Sequence, residues 1–109
     1  MSEAALIWCP FASEDDAASA AETLLGEGLV ACANILPRIR SLYVWQGERG
    51  EASECGVLLK TAPALLSRAV ERLETIHPYD APAIVGWNAD ACGRATAAWL
   101  GGRTGAAGA

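Results

Sequence analysis

The chain is short of the residues from which most catalytic and nucleic-acid-binding sites are built. Among 109 residues there is one histidine, His77, and one lysine, Lys60. No G-x-S-x-G elbow, P-loop or G-x-G-x-x-G turn is present, and a Ser/His/Asp or Cys/His arrangement would have to use His77. Glu14, Asp15 and Asp16 are explained by helix capping, so no acid pair needs a catalytic role. The reading that follows is not an enzyme. No base precedes Arg38, while residues 1–37 hold six acids, and the whole chain has a formal charge of −5. Without a basic stripe, nucleic acid and anionic membrane are poor partners.

Long apolar runs are also missing: none approaches the ~20 residues that cross a bilayer. The N-terminus Met1-Ser2-Glu3-Ala4-Ala5 lacks the basic region of a secretory leader. The expected location is the cytoplasm. There Cys9, Cys32, Cys55 and Cys92, which form no C-x-x-C pair, stay reduced and serve chiefly as small core residues. What is present is a globular composition, 52% apolar and 19% charged, sized for one domain over residues 1–109. Its ordered core is expected over about residues 4–100, with a fraying tail at 105–109.

The order of elements follows from local chemistry. Ala4 to Cys9 is a short apolar run ending at Pro10, as suits a buried strand. Ser13 caps a helix whose inner face is Ala17, Ala20, Ala21, Leu24 and Leu25, with Gly26 and Gly28 at its end. Val30 to Trp45 reads as one long bent strand, interrupted at Pro37, which cannot donate to a ladder and so marks a bulge or an unpaired edge position. The polar segment 46–51 reads as a hairpin loop, and Ser53 to Thr61 as the return strand. Thr61 caps the next helix, which buries Leu66, Ala69, Val70, Leu73 and Ile76 and stops at His77 because Pro78 disfavours helical geometry before it. A strand at 83–87 and a helix from Ala91 to Leu100, stopping at Gly101-Gly102, complete the chain.

This β-α-β-β-α-β order with a terminal helix specifies an α+β, ferredoxin-like sandwich: helices on one face of a four-stranded antiparallel sheet, the first and third strands central. The second sheet face has no covering layer within the chain although its strands are apolar. The long hairpin also reaches past the helices. Both features predict a homo-oligomer.

Five further residues matter. His77, at a helix C-terminus, reads either as a metal ligand or titrating base, or as a group meeting the terminal carbonyls. Cys9, at a strand end, is a soft ligand of the right kind. Tyr43 and Trp45 share one face of the long strand and read as interface anchors. Lys60 closes the third strand, where it meets an anionic ligand or, more simply, a carboxylate across a subunit boundary.

The strings Ala31-Cys32-Ala33-Asn34-Ile35-Leu36-Pro37, Ser41-Leu42-Tyr43-Val44-Trp45-Gln46-Gly47-Glu48, Ser53-Glu54 with Leu59-Lys60-Thr61, and His77-Pro78-Tyr79-Asp80-Ala81-Pro82-Ala83-Ile84 together resemble the CutA divalent-cation tolerance family over about residues 4–100. The resemblance implies a ferredoxin-like fold in a tight trimer, similar in architecture to the PII signalling proteins. It implies no obligatory cofactor, and a link to Cu2+ or another divalent cation through a cysteine at the end of the first strand and a histidine pair before Pro-Tyr. Cys9 and His77 match those positions, and Ile76 stands where the other histidine would be. Asp80 stands where a Glu is common, and Trp99 is kept from a C-terminal motif whose tyrosine is lost. The expected function is a cytoplasmic homotrimer in divalent-cation tolerance. The alternative is a PII-like signalling or scaffold trimer holding a small metabolite or protein in inter-subunit clefts near Tyr43, Trp45, Lys60 and Tyr79.

Overall fold

A computed structural model describes residues 2–103. The expectation for residues 105–109 lies outside the described residues.

Ser13 adopts extended geometry and accepts a hydrogen bond from the Asp16 N–H at 3.1 Å, which starts helix α1 (Glu14–Gly26) directly after strand β1 (Ala5–Phe11). The acids Glu14, Asp15 and Asp16 fill its first turn, at the positive end of the helix dipole. Ala17, Ala20, Ala21 and Leu24 are buried as the 3.6-residue period requires, but Leu25 is exposed, since it falls one position past the stripe.

Strands β2 (Cys32–Trp45) and β3 (Glu48–Thr61) form the long hairpin. Its turn is shorter than the polar segment suggested. Only Gln46 and Gly47 lie outside the ladder, with φ of 51° and 81°, and Trp45 already pairs with Glu48. Two successive positive φ values match the right-handed twist of the flanking strands, so a two-residue turn closes the hairpin and polar residues 48–52 become strand. At Pro37 the register shifts: Leu36 pairs with Gly56, Ile39 with Glu54, and Pro37 and Arg38 together oppose Cys55. The proline has no N–H for the ladder, and the bulge absorbs it.

Thr61 does not cap a helix. It is buried as the last residue of β3, and its hydroxyl donates to the Leu29 carbonyl at 2.7 Å, tying β3 to the α1–β2 connection. The following helix begins instead with a short tight turn, Pro63–Leu65, and continues as α2 (Leu66–Ile76). Strand β4 (Val85–Asn88) starts two residues later than expected, and α3 (Arg94–Arg103) runs through Gly101 and Gly102 rather than stopping there.

The sheet order is β2-β3-β1-β4, every neighbour antiparallel. The face under α1 and α2 holds the core: Ile7, Cys9 and Phe11 of β1, Cys55, Val57 and Leu59 of β3, Leu24 of α1 and Leu73 of α2. Each large side chain removed from water there contributes roughly 1.5–3 kcal/mol before the ordering entropy is counted. The opposite face carries Leu6, Trp8, Leu58, Val85, Trp87 and, along the arm, Tyr43 and Trp45. Among the described residues much of it stays open: Trp87 is 43% and Trp45 57% exposed. The arm's other face mixes charge with exposed apolar side chains, Leu42 at 59% and Val44 at 68% exposure beside Arg40, Arg49 and Glu51.

Candidate functional site

The connection from α2 to β4 crosses the end of β1 and brings three parts of the chain together. Pro78 holds His77 in extended geometry (φ −67°, ψ 136°) while its N–H still donates to Leu73 O at 2.9 Å, closing the helix. The imidazole turns inward and stacks on Phe11, ring centroids 4.2 Å apart and planes at 13°. Its Nε2 lies 2.9 Å from the Pro10 carbonyl, which can only accept, and its Nδ1 lies 3.1 Å from the Tyr79 N–H, which can only donate. These partners define the neutral Nε2–H tautomer, with both ring nitrogens committed.

Tyr79 follows on the other side of that N–H. Its hydroxyl donates to Glu54 Oε2 at 2.7 Å, joining the connection to the middle of β3. Burial, then the hydrogen bond to Glu54 and its charge, push the phenol above its usual range. Cys9 is fully buried beneath this arrangement, its thiol 3.6 Å from the same Pro10 carbonyl. Burial first, and the Glu54 carboxylate second, push that thiol up to about 12.

Outside the latch lies an open groove of about 960 Å³ between the hairpin arm and the Tyr79–Ala83 segment. Tyr43, Trp45, Tyr79 and Pro10 form its apolar walls, and Glu54 and Asp80 are its charged groups. Of the residues singled out from the sequence, Cys9 and His77 thus meet at one carbonyl, and Tyr43, Trp45 and Tyr79 share one groove. Lys60 joins neither. On β3 it pairs with Leu6 of β1 and Cys32 of β2, six residues beyond Glu54 and roughly 20 Å along the strand. Ile76 packs on the core.

Glu54 is the residue that sequence reasoning passed over. Strand parity puts it on the same face as Lys60, but nothing local announces that a tyrosine 25 residues later bonds to it.

The donor set does not suit a copper ion as folded. Burial and the Glu54 carboxylate disfavour the thiolate, both imidazole nitrogens have protein partners, and no group of three His, Cys, Asp or Glu side chains stands in metal-holding range among the described residues.

A four-stranded antiparallel sheet with its helices on one face, and a histidine-locked connection over the end of β1, define a ferredoxin-like α+β protein. Comparison with known proteins gives the family. The model of the CutA1 divalent ion tolerance protein matches residues 5–103, and the chain belongs to this family. The divalent-cation tolerance protein CutA of Thermus thermophilus is 42% identical over 85 residues, covering 78% of this chain and 81% of its own length. That of Pyrococcus horikoshii is 36% identical over 95 residues, covering 87% and 92%. The solved Thermus thermophilus structure superposes with a TM-score of 0.87 at 35% identity, covering 94% of this chain and 99% of its own.

Proposed function

We propose that this chain acts in divalent-cation tolerance as a cytoplasmic homotrimer, a binding protein rather than an enzyme. Family membership supports the cation-tolerance role. The observation that carries the assembly is the open apolar sheet face, continued into an arm that exposes large apolar side chains on both sides. Such a surface on a chain this small is stable in water when another copy covers it. Four free cysteines suit a reducing compartment. The absence of catalysis is argued from the one histidine, whose two nitrogens hold the fold.

Copper coordination by Cys9 and His77, expected from the resemblance, is a separate matter. It would require the pair to give up the Pro10 and Tyr79 contacts and the thiol to lose its proton. The groove beside Tyr79 favours the second reading, a PII-like trimer that holds a small molecule or protein segment there.

Native mass spectrometry of the reduced protein, with and without one equivalent of Cu(II) per chain, tests these readings together. A trimer is expected, and a monomer overturns the assembly. Copper retained by the parent and lost in a His77→Ala variant that still assembles as a trimer would assign the metal to His77. A trimer that takes up none favours the groove.

A further inference from the structure

The open sheet face bears charges that have no counter-ion among the described residues. Lys60 is half-buried between the Leu6 and Cys32 positions, and no ion pair or side-chain hydrogen bond reaches it among the described residues. Glu54, also half-buried, has only a neutral partner, the Tyr79 hydroxyl. Its uncompensated charge is felt by both Cys9 and Tyr79.

Covering this face would bury both groups further, and a buried charge without a partner is strongly unfavourable. The two stand on one strand, roughly 20 Å apart, beyond the reach of a lysine side chain. They cannot neutralise each other within a subunit. Of the other described bases, Arg40 and Arg49 lie on the opposite face of the arm, Arg40 is already paired with Glu51, Arg68 and Arg72 belong to α2, and Arg38 in the bulge and Arg94 at the start of α3 are exposed and can stay hydrated. Asp80 is exposed and can stay hydrated.

We infer that Lys60 of one copy enters the groove beside Tyr79 of the next and pairs with its Glu54, so that the groove is completed by a second copy of this chain. A head-to-tail ring supplies one such pair at every interface and leaves neither charge unmatched. This rests on the homotrimer proposed above and adds to it the contact that sets the order of the subunits. A wrong register would bring Lys60 against an apolar wall, so the pair contributes specificity as well as attraction.

Charge reversal tests the contact. The parent, Lys60→Glu, Glu54→Lys and the double variant are compared by sedimentation over a dilution series, with circular dichroism to confirm folding. Each single reversal is expected to raise the dissociation constant of the assembly about tenfold or more, and the double reversal to restore it to within about threefold of the parent. Should a reversal fail to fold, Lys60→Gln gives the same answer without like-charge repulsion. Its assembly should be weaker than the parent's and less sensitive to salt. A monomeric parent overturns the trimer and the pair together. A trimeric parent with Lys60→Glu assembling as tightly, or a double reversal no better than the worse single one, overturns the pair alone.

Discussion

The imidazole of His77 donates through Nε2 to the carbonyl of Pro10, 67 residues earlier in the chain, at 2.9 Å. That one bond fastens the connection between α2 and β4 to the end of β1. Through the Tyr79 N–H on the ring's other nitrogen, it also sets where the tyrosine lies over Glu54.

His77→Ala should therefore destabilise the subunit by about 2–4 kcal/mol, because it removes the stack on Phe11 and leaves a half-buried N–H and a carbonyl without partners. Urea denaturation gives the value. An undiminished midpoint would mean that the ring is not a latch.

Cys9 should be nearly inert to alkylation. With its thiol near 12 against an ordinary value of 9.0, the thiolate fraction at neutral pH is lower by about a thousandfold. Iodoacetamide at pH 8 followed by peptide mass mapping should modify Cys32 and Cys92 first. The folded state holds this proton more tightly than the unfolded chain, so its contribution is complete below pH 9 and is lost as pH rises from 9 towards 12. Denaturation midpoints across that window should fall less steeply in Cys9→Ala.

Gly56→Ala should cost about 1–3 kcal/mol. A Cβ there would run into the tip of the Trp8 indole, which lies across the glycine on the open sheet face. The rigid ring would have to lift off the strand. Thermal unfolding of the variant beside the parent measures the effect, and an unchanged transition would show that the indole moves freely.

Trp45→Ala should weaken assembly by about tenfold or more while leaving the far-ultraviolet spectrum of the subunit intact. The indole is 57% exposed in the isolated chain and sits on the arm, away from the core. A variant that resists dilution as well as the parent would remove Trp45 from the interface.

Where a residue acts on its near neighbours, reading along the chain and the structure agree. Ser13 caps α1, Pro37 marks the bulge, and Pro78 ends α2 because each constrains only a few adjacent dihedrals and donors. The β-α-β-β-α-β order and the alternation that leaves one face apolar follow from the same short-range periodicities. Disagreement appears where a partner is distant. Thr61 is a good cap by composition, yet its hydroxyl bonds to Leu29, 32 residues away. The polar segment after Trp45 looks like a loop, yet the ladder continues through it, since strand pairing and the turn's backbone twist outweigh polarity.

The amino-acid order by itself determined the elements, their sequence, the apolar second face and the motifs of the CutA family. These rest on steric rules and side-chain periods that act within a few residues. Tertiary structure alone decided that Cys9 and His77 share the Pro10 carbonyl, that Tyr79 reaches Glu54, and that Lys60 is too far from both to serve the same subunit. Such contacts join segments 25 to 67 residues apart. They exist only after the sheet has formed and the connection has closed over its end, because hydrogen-bond geometry depends on positions that folding brings together.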